Sequence, residues 1–233
     1  MAIRFYLSSF DGVPDGITPV FAGWTRTTEG VRRRMMPSPK DNSALATKTI
    51  WAGGAAAVDE SALAVQFISD RLAAGHVFTT SDTFKCYIRC AESATNDNIN
   101  RQPICVKVVS EDGLTIRATL FGLAHAGPNT TEWIVTTLTN KALADGDTFT
   151  AGYTTVEGDR LVVEVGGQVS AAGGTSVTGS MSFGTAPSAD IAENETGTAA
   201  DKSWFSLPTL TLTFAPPSPS GVFLQAVPRA AYH

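Results

Sequence analysis

The chain has 233 residues, 43% hydrophobic and 17% charged, with a net charge of −5. That is enough apolar material for one large all-β domain or two small ones, and the thin acidic charge argues against general nucleic-acid binding, which needs a basic footprint. No run approaches the roughly 20 apolar residues of a membrane-crossing helix. The opening MAIRFYLSSFDG also lacks the uninterrupted apolar segment of a secretory signal. The expectation is a soluble protein made in the cytoplasm.

Residues 1–44 open with a strand-like Ile3-Arg4-Phe5-Tyr6-Leu7 and pass through Trp24 to the basic run Arg32-Arg33-Arg34, with Arg26 and Lys40 nearby. We read this part as an amino-terminal arm, with a brief helical turn within residues 27–36. The three arginines either dock on an acidic partner surface or simply face solvent. They lack the aromatic interleaving of a single-strand nucleic-acid groove.

A core domain is expected over residues 45–214. Residues 64–68 and 77–80 are short strand candidates. The stretch from Phe84 to Gly113 then holds all three cysteines. With a period of two, Phe84, Cys86, Ile88 and Cys90 share one face of a strand, and Lys85, Tyr87 and Arg89 share the other. Cys86 and Cys90 are then separated by about 13 Å at ~3.3 Å per residue, too far for a disulfide. In the next run Ile104, Val106 and Val108 form the apolar face, which turns Cys105 away from the other two. CxxxC on a strand is not a zinc spacing, and His76, His125 and His233 add no ligand pattern. Buried, reduced thiols acting as small hydrophobes are the expectation.

Further strands are expected at 116–120, 133–138, 160–165, 180–183 and 209–214, with a helical turn at 140–144. In residues 160–165, Leu161, Val163 and Val165 alternate against Arg160, Val162 and Glu164. Turn signals separate the runs at Glu111-Asp112-Gly113, Gly127-Pro128-Asn129, Asp145-Gly146-Asp147, Glu157-Gly158-Asp159 and Gly173-Gly174. Many short strands without a long amphipathic helix define an all-β, antiparallel β-sandwich or jelly roll with extended terminal arms. Ala215-Pro216-Pro217-Ser218-Pro219 stops the last strand, leaving a tail, 215–233, that carries apolar Val222, Phe223 and Leu224. Such a tail must pack on its own domain or on a neighbour.

Other groups carry weaker chemistry. Asn96-Asp97-Asn98 and Asp145-Gly146-Asp147 offer oxygen ligands but lack the spacing of a calcium loop, so turn formation explains both. Asp190, Glu193, Glu195 and Asp201 fall in an Ala/Thr-rich segment that reads as a flexible surface loop, which would not hold the fixed separation that paired-carboxylate hydrolysis needs. Trp24, Trp51, Trp133 and Trp204 are either core residues or a sugar-stacking platform. GxSxG, Walker A, GxGxxG and HExxH patterns are absent. No cofactor, metal site or catalytic residue is assigned.

Gly158-Asp159-Arg160-Leu161-Val162-Val163-Glu164-Val165-Gly166, preceded by Asn140-Lys141-Ala142-Leu143-Ala144-Asp145-Gly146-Asp147, resembles a loose group of small tailed-phage virion proteins with a jelly-roll-like core. Arg4-Phe5-Tyr6 followed by Gly23-Trp24, and the later Ser203-Trp204-Phe205, are similar in order and spacing. The resemblance spans residues 2–214 and leaves the Pro-rich tail unmatched. It implies a non-enzymatic structural role in the virion, as a capsid decoration (cement) subunit on the outer shell. The implied partners are the major capsid protein or other virion subunits, and copies of the chain itself as a homo-oligomer. Arg32, Arg33, Arg34, Val222, Phe223 and Leu224 are the candidate partner-binding residues. The alternative is a tail- or fibre-associated module that contacts host-surface glycans.

Overall fold

The computed structural model describes residues 3–11, 20–37, 42–57, 59–101, 103–124, 132–169 and 176–216. Regular structure there is strand throughout, apart from a 3₁₀ turn at Thr95–Asp97. In chain order the strands are β1 (Ile3–Asp11), β2 (Val31–Met36), β3 (Ala46–Gly54), β4 (Ser61–Ile68), β5 (Val77–Phe78), β6 (Thr83–Glu92) and β7 (Ile99–Arg101). They continue as β8 (Ile104–Val109), β9 (Ile116–Ala124), β10 (Thr139–Thr148), β11 (Tyr153–Thr154), β12 (Arg160–Val169), β13 (Val177–Phe183) and β14 (Trp204–Leu207).

Twelve strands form one sheet in the order β3-β13-β6-β14-β1-β2-β4-β12-β8-β9, with β10 paired to β6 and β7 to β12; β5 and β11 pair separately. The pairings are antiparallel except β2 with β4. The sheet curls over one core, as a β-sandwich does. Just past β10, the N–H groups of Thr150 and Ala151 both donate to the Leu120 carbonyl of β9, so the branch that β10 makes from β6 reaches the β9 end of the strand order. The centre of the core is aromatic. The Phe84 ring lies 4.9 Å from Phe121, 5.3 Å from Phe149 and 6.0 Å from Phe205.

Period-two alternation locates the inner face. Phe84, Cys86, Ile88 and Cys90 of β6 enter this core, as do Ile104, Val106 and Val108 of β8 and Leu161, Val163 and Val165 of β12. Tyr87 and Val162 join separate small clusters on outer faces.

Several expectations need correction. β1 and β2 do not form an arm, because both lie inside the sheet and place Phe5, Leu7 and Met35 in the core. Residues 31–36 and 139–148 are strands and not helical turns. β2 is held between β1 and β4, and β10 runs along β6 with two register shifts, one of them flanking Gly146 at φ +95°. Tertiary pairing outweighs local propensity in both places. Conversely, residues 209–214 and 133–138 make only isolated bridges, Leu72 with Phe214 and Val135 with Glu92. Their alternating pattern finds no neighbouring ladder. β3 carried no recognised signal, since Ala46–Gly54 mixes lysine, threonine and glycine with Trp51, which sits at φ +57°.

Candidate functional site

Two turns at one end of the sheet frame a cleft. In the β8–β9 turn the Ser110 N–H donates to the Thr115 carbonyl, and Asp112 Oδ1 accepts from Ser110 Oγ at 2.5 Å and the Leu114 N–H at 3.0 Å. Those bonds hold the Asp112 carboxyl below its usual range. In the β11–β12 turn Asp159 Oδ2 accepts from the Tyr153 hydroxyl at 2.8 Å and the Val156 N–H at 2.9 Å. Gly158, at φ +91°, is required here: a Cβ would lie 2.7 Å from Glu111 Oε2.

The cleft between these turns has a volume of about 610 Å³ and is lined by Ser110, Glu111, Asp112, Arg117, Glu157, Asp159 and Arg160. Arg160 donates to the Glu111 and Ser69 carbonyls at 2.9 and 3.1 Å. Burial lowers its pKa, opposed by Asp70 and Glu111. Arg117 stands 3.6 Å from Asp159. Arg71 pairs with Glu111 at 3.0 Å and donates to the Pro216 carbonyl at 2.8 Å, so the chain leaves its last described residue beside this wall. Next to the lining residues in sequence, Leu114 and Val156 are more than half exposed and Ile116 is also exposed, as is Val77, which pairs with Thr154 at the start of the β11–β12 turn. The charged groups hold one another, and the apolar rim faces outward. A polar centre with apolar contacts around it suits protein recognition.

The predicted site residues fall as follows. Arg33 and Arg34 are half-buried on β2 and paired with Asp11 at 3.1 Å and Asp70 at 3.2 Å, while Arg32 lies opposite Gln66 in the ladder. Val222, Phe223 and Leu224 lie outside the described residues. Asp97 is buried, and its Oδ2 caps the Ser93 and Ala94 N–H groups. Asp145 pairs with Lys85. Among the described residues no group of three or more His, Cys, Asp or Glu is arranged to hold a metal ion. All four tryptophans are buried, which removes them as an exposed sugar platform. Asp190, Glu193 and Glu195 are fixed by Arg4, Lys85 and Lys141, so the expectation of a flexible loop is corrected.

Cys86, Cys90 and Cys105 are free and buried, with burial raising each thiol pKa. Cys105 lies opposite Glu164 in the ladder, away from the core face that holds the other two. We expect all three to label slowly with a maleimide in the native protein and rapidly in urea. Fast native labelling at any of them would overturn that.

Two buried groups escaped sequence reasoning. Glu164 and Lys107 are fully buried and paired on the outer face of β12 and β8. The Glu164 carboxylate also accepts from Trp24 Nε1 at 2.7 Å, Gln66 Nε2 at 2.9 Å and the Phe21 N–H at 3.2 Å. Residues 20–26 thus cover a face that strand alternation assigns to solvent. The legible signal was Gly166, where a Cβ would meet the Trp24 ring at 2.6 Å. The second group is Glu92, whose carboxyl is pushed up to about 7, chiefly by burial. No protein-family model matches the chain, and no curated protein matches it.

Proposed function

We propose that the protein is a structural, non-enzymatic subunit of a tailed-phage particle with a jelly-roll-like core, acting as a decoration subunit on the outer capsid shell. The observation that carries this reading is the end cleft, with Val77, Leu114, Ile116 and Val156 exposed around it and the chain departing from Pro216 at its wall. Apolar side chains gathered beside a polar centre on an otherwise well-packed molecule mark a contact surface. The sequence after Pro216 holds further apolar residues, Val222, Phe223 and Leu224. The resemblance described above supplies the setting. The tail-module alternative is weakened by the burial of all four tryptophans.

Copy number in purified particles tests the reading. Full-shell stoichiometry supports decoration, a handful of copies indicates a tail, and absence from the particle overturns both. Deleting residues 217–233 should leave the melting temperature within a few degrees of the full chain and abolish binding to stripped particles. Early melting with normal binding would place the tail in the protein's own core. Replacing Arg32, Arg33 and Arg34 with serine should weaken binding to stripped particles and also cost some stability, because Arg33 pairs with Asp11 and Arg34 with Asp70 within the chain.

A further inference from the structure

Residues 184–203 join β13 to β14 and lie as a strap across the outer face of β1, β14, β6 and β10. The underlying face interleaves aromatic and basic side chains: Arg4 and Tyr6, Lys85, Tyr87 and Arg89, and Trp204. One apolar residue of the strap, Ile191, packs with Tyr87, Ala142, Trp204 and Tyr6, and its carbonyl accepts from Trp204 Nε1 at 2.8 Å. The other anchors combine ion pairs with the Thr198 carbonyl, which accepts from Arg89 at 2.7 Å. Asp190 Oδ2 accepts from Arg4 at 2.8 Å and from the Tyr6 hydroxyl at 3.1 Å. Glu193 meets Lys85 at 2.6 Å, and Glu195 meets Lys141 at 3.3 Å. Glu193 of the strap and Asp145 of β10 raise the pKa of Lys85, and Asp190 adds to the burial that raises that of Tyr6.

The strap also covers a strand edge. β10 pairs with β6 on one side, and on its other side the Asn140 N–H donates to the Gly197 carbonyl and the Ala142 N–H to Glu195 Oε1. The ends of the strap meet, with Ser203 Oγ donating to the Ser182 carbonyl at 3.1 Å. At the start, Gly184 sits at φ +145°, where a Cβ would lie 2.5 Å from the Ala44 carbonyl oxygen. Thr185 and Ala186 stay tied to the Ser43 carbonyl and the Ser203 carbonyl to the Leu7 N–H, so residues 187–201 can lift between fixed ends without breaking the β13 and β14 ladders. With one apolar anchor and partly exposed ion pairs, this stretch is held by weaker contacts than the ladders on either side of it.

We propose that this strap is an electrostatic latch, and that the face beneath it is a docking site for the strap of a second copy of the chain. The occupant follows from complementarity: among the described residues, the segment that matches this face in charge, apolar anchor and edge hydrogen bonding is the chain's own Asp190-Ile191-Ala192-Glu193-Asn194-Glu195. Lifting it bares a strand edge and an aromatic face together, the combination that templates exchange of an identical element between copies.

Charge exchange tests the proposal. Lys85→Glu spoils the face of one chain, and Glu193→Lys spoils the strap of another. Each variant alone mismatches itself, whereas reciprocal exchange in a mixture restores both pairs. Light scattering on an equimolar mixture should show a heterodimer, and each variant alone should stay monomeric. A monomeric mixture, or dimers formed equally by either variant alone, overturns the exchange. The wild type gives a second measurement independent of those substitutions. Between about 0.05 M and about 1 M NaCl, where the screening length shrinks to ~3 Å, hydrogen exchange at Asn140 and Ala142 should accelerate by roughly tenfold or more while core strands keep their protection. Exchange at those amides that ignores salt removes the latch. If oligonucleotide binds the salt-opened face and a peptide of residues 188–197 does not, the face reads phosphate and the proposal fails.

Discussion

Replacing Lys107 by methionine should destabilise the protein by about 3 to 5 kcal/mol, the cost of leaving one partner of a buried ion pair uncompensated. Methionine fills much of the lysine stem, so a cavity is not the main cause. The cause is Glu164, which has no exposed surface and would keep its neutral donors while losing its cation. Burying a lone carboxylate forces either protonation or local opening. Opening is the readier route, because the cover over Glu164 is the irregular segment 20–26, hooked on by Trp24 Nε1 and the Phe21 N–H. Urea unfolding followed by far-UV dichroism would measure the loss. Trp24 fluorescence should shift at lower urea than the dichroism if the cover opens first.

The double variant Lys107→Met, Glu164→Gln sharpens the test. A neutral glutamine retains an oxygen for Trp24 Nε1 and removes the buried charge. Stability should recover by about 2 kcal/mol or more relative to Lys107→Met alone, since the two sites are in contact and their effects do not add. A double variant no better than the single would mean that the lysine acts through packing and not through charge.

The same residues show how far the chain was legible. Inner-face alternation in β6, β8 and β12 could be read directly, because a strand buried against one core must place every second side chain there. The outer faces could not. Lys107, Glu164, Tyr87 and Arg89 occupy positions that alternation assigns to water, and whether a second layer covers them depends on segments distant in sequence. Glu164 is covered by residues 140 and 143 positions earlier; Tyr87 is covered by Ile191. β2 illustrates the opposite failure. Three consecutive arginines resemble an exposed arm, yet the pleat sends the guanidinium groups of Arg33 and Arg34 to Asp11 and Asp70 while Met35 enters the core. The end cleft was visible only as two turn signals, Glu111-Asp112-Gly113 and Glu157-Gly158-Asp159. Their closeness is set by β8 lying next to β12 in the sheet order.

Glu92→Gln should stabilise the protein at pH 8 and change little at pH 4. The carboxyl is almost wholly buried, and its Oε2 accepts from the Ile99 N–H at 3.2 Å while Oε1 has no partner among the described residues. Burial is the main cause that lifts its pKa to about 7; the Ile99 N–H opposes it, Glu132 and Asp97 add to it, and Lys141 partly offsets it. An acid raised from an ordinary value of 4.5 holds its proton in the folded chain while the unfolded chain releases it. Stability therefore falls as pH climbs from about 4.5 to about 7, and the loss is complete above that window. A shift of this size corresponds to about 3 kcal/mol at most, at ~1.4 kcal/mol per unit. Glutamine can offer the same acceptor to Ile99 without a charge, so it escapes the loss. Urea titrations of both proteins at pH 4, 6 and 8 isolate this group, because every other titration is common to the pair. The stability difference should grow by about 2 to 3 kcal/mol from pH 4 to pH 8, with most of the change between pH 5 and 7. A difference that stays flat across that range would mean that Glu92 already ionises at its ordinary pKa, and that water or a neighbouring donor satisfies Oε1.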